Sequence, residues 1–333
     1  MAQRATLIKA GLLTGALLAG GLVVAASLTL LALTRPGPHA ADTVVLVPKG
    51  ASVTRTAGLL AEHGVLSRPR LLVAYARVSG AAGGIRAGEF VIPAGASPLE
   101  TLAVLRDGPF VQRRVTVAEG MTSAQVVALL RTTDGLDGTI ETMPEEGGLL
   151  PETYYFVFGD TRADMLARMR AARDDTLYTL WDARAADLPF DTPEDAVILA
   201  SIVEKETAVP AERPLVAGVF VNRLRRGMRL QSDPTVIYGL TGGEPLGRRI
   251  RRSELDRTTP YNTYRVGGLP PTAIANPGRA SLAAVLRPVD TPYLYFVADG
   301  TGGHVFAKTL SEHNTNVARW RRLQRQQRAR QGE

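Results

Sequence analysis

The sequence predicts an α+β protein in three parts: an N-terminal transmembrane helix, a small α/β subdomain and a larger mixed α+β domain. Three observations support this. An uncharged run covers residues 10–34, a strand–turn–helix pattern occurs three times between residues 47 and 130, and a helical periodicity begins near Thr161. With 333 residues, 45% of them hydrophobic, the chain can bury a sizeable core.

The N-terminal run is long enough to cross a bilayer. It holds 25 uncharged residues, and a transmembrane helix needs about 20. Arg4 and Lys9 precede it, which places the N-terminus in the cytoplasm, although Arg35 on the far side weakens that bias. A cleaved signal peptide is the alternative, but its apolar core typically has about 7–15 residues. The run therefore favours a retained signal anchor.

The three repeated segments align without gaps. Each places a glycine turn after an apolar stretch, then a Ser or Thr suited to capping a helix. The segments are VPKGASVTRTAGLL (47–60), IPAGASPLETLAVL (92–105) and VAEGMTSAQVVALL (117–130), with Ser52, Ser97 and Thr122 as the caps. Such units resemble LysM modules, which bind amino sugars of cell-wall glycans. They contain no aromatic platform, so the repeats can equally be packing units.

The second half of the sequence predicts helices and one hairpin. The helices cover 161–181, 192–207 and 211–226, and a last helix starts near Ser311. PYLYFVAD (292–299) and HVFA (304–307), separated by GTGG, predict the hairpin. The segment after Trp320 lacks apolar periodicity and is expected to be disordered.

These elements give the following predicted division: 1–9, cytoplasmic N-terminus; 10–34, signal anchor; 35–43, linker; 44–112, LysM-like subdomain; 113–318, the larger domain; 319–333, basic tail.

Composition excludes several classes of chemistry. The chain has no cysteine, so disulfides, thiolate nucleophiles and iron–sulfur clusters are excluded. Its four histidines (His39, His63, His304 and His313) lack metal-ligand spacing, and no metal or cofactor is expected. The net charge of +7 resides at the ends, with +3 in residues 1–35 and +5 in 319–333, which leaves −1 in the body. A nucleic-acid partner is therefore not expected.

One carboxylate is predicted to lie in apolar surroundings. On a helix over 195–207, Glu206 falls on the apolar stripe that contains Leu199 and Ile202, whereas Glu204 lies on roughly the opposite side. Burial raises the pKa of a carboxyl, as a general acid requires, and Glu204 is expected to be solvated or salt-bridged. Alternatively, Glu206 pairs with a buried arginine, Arg213 or Arg223.

A glycosidase would ordinarily use a second carboxylate. Asp233 is the best partner by position. It stands in QSDPT, where an Asp-Pro pair is more typical of a turn or helix cap, and the sequence does not identify it as a nucleophile.

Several long motifs occur together and in order. They are EGGLLPETYYF (146–156), ILASIVEKETA (198–208), VFVNRLRRGMRLQSDPTVIYGL (219–240), YNTYRVGGLPPTAIANPG (261–278) and TPYLYFVADGTGGHVFA (291–307). From about residue 44 to 318 the chain resembles the YceG-like family of endolytic murein transglycosylases. The resemblance implies a membrane-anchored lytic transglycosylase. Such an enzyme cleaves the MurNAc–GlcNAc β-1,4 bond of nascent peptidoglycan, leaves a 1,6-anhydromuramoyl end and ends strand elongation.

The resemblance also implies roles for individual residues. Glu206, followed by Thr207, would act first as acid and then as base, so that no second carboxylate or metal is required. Substrate-binding roles are implied for Gln231, Ser232, Asp233, Tyr238, Tyr261, Asn262 and Tyr264, with the tyrosines stacking on sugars and Asn262 orienting the N-acetyl group. His304 and His313 match the family without an assigned role.

The resemblance and the apolar N-terminal run together predict the partners and the location of the protein. The expected substrate is the peptidoglycan glycan strand, and cell-wall synthases in the membrane are expected partners. The protein is expected to be a single-pass protein of the cell inner membrane with an extracytoplasmic catalytic domain. The rival interpretation is a membrane-tethered, non-catalytic wall-glycan-binding protein.

Overall fold

The computed structural model describes the backbone of residues 2–331 and the side chains of residues 13 and 15–327. The helices are α1 (Ala2–Thr34), α2 (Val53–Glu62), α3 (Pro69–Val78), α4 (Pro98–Asp107), α5 (Ser123–Thr132), α6 (Arg162–Asp182), α7 (Pro193–Glu206), α8 (Arg213–Arg225), α9 (Asp233–Thr241), α10 (Arg252–Asp256), α11 (Arg279–Leu286) and α12 (Leu310–Gln331). The strands are β1 (Thr43–Val47), β2 (Gly88–Ile92), β3 (Arg113–Thr116), β4 (Thr153–Phe156), β5 (Tyr295–Ala298) and β6 (His304–Ala307). They form two compact units, Met1–Arg113 with Phe156–Gly159, and Arg114–Tyr155 with Asp160–Glu333.

The first unit begins with the apolar helix. Within α1, the segment Gly15–Thr34 has 20 residues and a mean hydropathy of 2.3, which is long and apolar enough to cross a membrane. The helix already begins at Ala2, so it also contains residues predicted as a separate cytoplasmic terminus.

The first two repeats fold as predicted and pair with each other. β1 runs antiparallel to β2, with Thr43 opposite Ile92 and Val47 opposite Gly88. The backbone N–H of Arg55 donates to the Ser52 hydroxyl at the start of α2, and Ser97 caps α4 in the same way. The strand–turn–helix prediction is confirmed here. The likeness to LysM modules stays a prediction.

The third repeat belongs to the second unit. β3 pairs with β4, and Gly120 takes the left-handed conformation (φ 76°) that a side chain disfavours. Thr122 and Gln125 then form a capping box at the start of α5. The core of this unit is built from α7, α8 and α11, with Leu199, Phe220 and Val285 almost fully buried.

The predicted hairpin and helices of the second unit are present, and the hairpin consists of antiparallel β5 and β6. The prediction of a disordered tail is wrong for the residues described, because α12 continues to Gln331. Arginine, glutamine and alanine are good helix formers, so this helix extends without an apolar face. Residues 332–333 of the predicted tail lie outside the described residues.

Candidate active site

The candidate site lies at the C-terminal end of α7. A capping box of Thr192 and Asp195, with Pro193 at the first helical position, fixes where the helix starts. It ends at Glu206 because Thr207 has an extended backbone (φ −136°, ψ 129°). Glu206 is thus the last helical residue, held by a helix whose preceding turns are buried.

The Glu206 side chain is half-buried, and its carboxyl is bonded to a hydroxyl. The Ser232 Oγ donates a hydrogen bond to Glu206 Oε1 at 2.5 Å. The pKa of Glu206 is raised to about 7, chiefly by burial and also by the negative charge of Asp233, while the Ser232 hydrogen bond and the electrostatic effects of His304 and Arg223 act to lower it. A carboxyl with this pKa carries its proton in a large share of molecules near neutral pH.

Glu204 has a different environment. It forms an ion pair with Arg213 (Oε1 to Nη2, 3.2 Å) and accepts the backbone N–H of Gly278 at 2.9 Å. Its side chain is only 5% exposed, so of the two alternatives, solvated or salt-bridged, the ion pair is the one observed. Arg213 also reaches Glu119, at 3.3 Å. Among the described residues, no ion pair joins Glu206 to an arginine, which argues against the alternative that Glu206 merely pairs with Arg213 or Arg223.

Arg223 contributes charge while its hydrogen bonds go mainly to the backbone. Its Nε donates to the Leu294 carbonyl and its Nη1 to the Leu230 carbonyl, both at 2.7 Å. The guanidinium also lies 5.2 Å from the centre of the Tyr295 ring. This buried arginine joins the start of β5 to the segment just before Gln231. Sequence reasoning named it only as a pairing partner, because an arginine among several in α8 gives no periodic signal.

The QSDPT segment brings three of the predicted residues together near Glu206. Gln231 has a left-handed backbone (φ 54°), a conformation that costs a non-glycine residue of order 1 kcal/mol and is common at functional sites. Ser232 is buried, and its backbone N–H donates a hydrogen bond to Thr263 Oγ1 at 2.9 Å. Asp233 starts α9 and accepts the hydroxyl of Tyr264 at 2.7 Å, and burial raises the pKa of Tyr264.

Asn262 is held inside its own loop. Its Nδ2 donates to the carbonyls of Arg257 (2.6 Å) and Leu255 (3.0 Å), and its Oδ1 accepts the Tyr264 N–H. The side chain is 1% exposed. The role of orienting a substrate N-acetyl group stays a prediction, and the amide is already engaged in shaping the Tyr264 loop.

The two remaining tyrosines form a pair farther along α9. The rings of Tyr238 and Tyr261 have centroids 5.1 Å apart. The Tyr238 hydroxyl donates to Glu146 Oε2 at 3.3 Å, and burial raises the pKa of Tyr238 to about 12. Tyr238 comes five positions after Asp233 in α9, or roughly 7.5 Å along the helix axis, so this pair is distinct from the group at Glu206.

A second acidic residue, Glu212, was missed at the sequence level. Glu212 Oε1 accepts the backbone N–H of His304 and its Oε2 contacts the His304 Nδ1, both at 2.7 Å. The Thr207 hydroxyl donates to the same carboxylate at 3.4 Å. Glu212 therefore joins the hairpin to the residue after Glu206. Only the folded chain reveals this contact, because Glu212 and His304 are far apart in sequence.

Comparison with known proteins gives consistent matches. The profile of the YceG-like family matches residues 45–319. A Bacillus subtilis (strain 168) protein named endolytic murein transglycosylase is 29% identical over 300 residues, covering 80% of this chain and 82% of the relative. A Streptococcus pneumoniae (serotype 2, strain D39) protein of the same name is 35% identical over 180 residues, covering 52% of this chain and 32% of that protein.

The solved structure of a YceG-like protein from Listeria monocytogenes has the same fold. It superposes with a TM-score of 0.50 at 27% identity, covering 82% of this chain and 98% of the Listeria chain. The family profile spans most of the sequence, including all three repeats and the segment that carries Glu206. This chain belongs to the YceG-like family.

Proposed function

We propose that this protein is an endolytic lytic transglycosylase that cleaves the MurNAc–GlcNAc β-1,4 bond of nascent peptidoglycan and leaves a 1,6-anhydromuramoyl end. The observation that carries the proposal is the Glu206 carboxyl, with a pKa of about 7 and a hydrogen bond from Ser232. The relatives named endolytic murein transglycosylase support the substrate class.

In the first step Glu206 transfers its proton to the glycosidic oxygen as the bond from that oxygen to C1 of MurNAc breaks. The substrate's own N-acetyl group stabilises the positive charge at C1. Glu206, now a carboxylate, takes the proton of the C6 hydroxyl, and the C6 oxygen bonds to C1. The Ser232 hydroxyl and the positive charge of Arg223 stabilise the carboxylate between the two steps.

The other predicted residues support binding of the strand. Gln231 and Asp233 are exposed beside Ser232, and the Tyr264 hydroxyl is bonded to Asp233. These groups can hydrogen-bond sugars near the scissile bond. Tyr238 and Tyr261 offer ring faces to parts of the substrate farther along.

The apolar helix supports a location in the cell inner membrane. We assign α1 as a single-pass anchor, with the N-terminus in the cytoplasm because Arg4 and Lys9 precede the span. The catalytic unit then faces the wall, where a membrane-bound glycan synthase is a fitting partner. The first unit, with its LysM-like repeats, would contact the glycan strand. The rival function, a non-catalytic tethered glycan receptor, leaves the raised pKa of Glu206 without a use.

The test uses the full-length protein in detergent with uncrosslinked glycan strands. Wild type should release fragments with anhydromuramoyl ends, detected by mass spectrometry. Glu206→Gln should lower the rate by about 100-fold or more, because general acid catalysis contributes about 10²–10⁴-fold. Glu141→Gln, at an exposed glutamate, is the matched control. Wild-type binding without any cleavage would favour the receptor, and full activity of Glu206→Gln would refute the assigned acid.

A further inference from the structure

A cavity of about 990 Å³ opens within the second unit, away from Glu206. Residues from α6, α7 and α9 and two loops line it, with Tyr238 and Tyr261 on one side and Met143 and Tyr178 on another. This volume lies at the upper end of small-molecule sites, which occupy about 300–1,000 Å³. The cavity is therefore larger than one sugar ring needs.

Its walls carry exposed apolar surface. Met143 is 53% exposed and Tyr178 is 50% exposed, both unusual for side chains of this size. Pro271 and Ala273 extend the wall beside the tyrosine pair. Such a surface suits aliphatic and amide groups, which gain from contact with aromatic rings.

The two arginines that line this cavity differ in their hydrogen-bond and ion-pair partners. Arg173 is engaged by Asp174 (2.9 Å), by Glu194 (3.6 Å) and by the carbonyl of Gly147 (3.2 Å). Arg170, on the same helix, is exposed, and over the described part of the chain its guanidinium has no hydrogen bond or ion pair. Glu145 and Glu146 also line the cavity, so its lining is of mixed polarity. The unpaired guanidinium of Arg170, which lines the cavity together with Tyr178, is suited to a carboxylate, which it can bind through two N–H groups.

Glu146 also lines the cavity. Its Oε1 accepts the Ser123 N–H at 2.8 Å and its Oε2 accepts the Tyr238 hydroxyl at 3.3 Å. These bonds fix the tyrosine ring against the cavity, so the apolar wall is preorganised.

We propose that this cavity binds the short peptide that branches from the glycan strand, with Arg170 pairing with a peptide carboxylate and the Met143–Tyr178–Tyr238 wall contacting the peptide's aliphatic groups. The inference rests on the proposed function, because it takes murein as the substrate. The chemistry of the polymer favours the peptide as the ligand. A neutral sugar has no charged group that could pair with Arg170, whereas the peptide has both carboxylates and aliphatic side chains. The other carboxylate in the polymer is the lactyl group of a strand whose peptides have been removed.

The experiment compares two substrates with full-length protein in detergent. One is uncrosslinked strands that keep their peptides, and the other is the same strands after removal of the peptides by an amidase. Arg170→Ala should lower kcat/KM for the peptide-bearing strands by about tenfold, through KM, because a charge-assisted hydrogen bond contributes about 1.5–3 kcal/mol. The ratio of kcat/KM between the two substrates should fall accordingly. Arg287→Ala, at an exposed arginine outside the cavity, should leave that ratio unchanged.

The contrary outcomes are distinct. An equal loss on both substrates would make Arg170 structural, and a loss confined to peptide-free strands would assign it to the lactyl group; either overturns the inference. If wild type cleaved neither substrate, the proposed function would fail. In that case the cavity proposal is tested by calorimetry, which measures how tightly a soluble disaccharide–peptide binds to Glu206→Gln and to the double variant Glu206→Gln/Arg170→Ala. Weaker binding by the double variant supports the peptide site. Equal binding by the two variants refutes it.

Discussion

The two sides of the last turn of α7 use the same chemical group in opposite ways. On one side Glu204 is locked to Arg213 and to the Gly278 N–H, so its charge is compensated. On the other side Glu206 meets a neutral hydroxyl and no ion pair within the described residues, and burial raises its pKa to about 7. The two residues are about 200° apart around the helix axis.

The difference shows how one helix end can combine stability with reactivity. The ion pair at Glu204 holds α7 to the start of α8 and to the glycine that precedes α11. Because that side anchors the helix, Glu206 can remain uncompensated without displacing the backbone. Catalytic residues are commonly supported in this way, by neighbours that never contact the substrate.

The largest expected effect on stability comes from removing the ion-pair partner of Glu204. Arg213→Met leaves the carboxylates of Glu204 and Glu119 without their cation, and removal of one partner from a buried pair costs about 3 kcal/mol. The free energy of unfolding in urea at pH 8 should fall by about that amount. Arg226→Met, at an exposed arginine on the C-terminal end of α8, is the control. Similar losses in the two variants would mean that the ion pair does not stabilise the fold.

The next effect concerns the stability contributed by Glu206 itself. Its pKa is higher in the folded chain than the unfolded value of 4.5, so the folded state is favoured below about pH 4.5 and loses this stability as pH rises through about 7. Glu206→Gln removes the cost of the buried charge. Its free energy of unfolding at pH 9 should exceed that of wild type by about 3 kcal/mol, since one pKa unit corresponds to about 1.4 kcal/mol. At pH 4 the two should agree; a difference that does not change with pH would contradict the buried acid.

A smaller effect is expected from the hydroxyl that contacts the acid. The Ser232 hydrogen bond favours the ionised form of Glu206, so Ser232→Ala should raise the Glu206 pKa. The alkaline limb of the kcat profile should move to higher pH, by less than about one pH unit. Thr235→Ser, which keeps a hydroxyl one turn away in the same segment, should not move it. An unchanged limb in Ser232→Ala would show that the hydroxyl does not tune the acid.

The sequence predicted many helix starts in both units well because local signals determine them. Ser52, Ser97 and Thr122 cap helices where the repeat pattern placed them, and each cap acts within three residues of itself. The side of the helix occupied by Glu206 also follows from periodicity alone. The prediction that the segment after Trp320 is disordered was wrong for a related reason. Helix propensity alone sustains α12 where apolar periodicity is absent.

The partners of these residues could not be predicted from sequence. Glu212 and His304 are separated by 92 positions, and Ser232 and Glu206 by 26, so only tertiary packing shows that they touch. The third repeat has the same pattern as the first two, yet its Gly120 carbonyl accepts the Lys205 ammonium at 3.1 Å beside the candidate acid. The same local pattern therefore builds a strand pair in the first unit and a contact with Lys205, the residue before Glu206, in the second.

The most direct test of the central claim is to titrate the Glu206 carboxyl. In full-length protein labelled with ¹³C at glutamate carboxyls, the signal that disappears in Glu206→Gln is assigned to Glu206 and followed by NMR from pH 4 to 9. A midpoint near 7 is the predicted result, because burial outweighs the hydrogen bond from Ser232. A midpoint near 4.5, the value of a solvated glutamate, would contradict the assignment of Glu206 as a general acid held protonated near neutral pH.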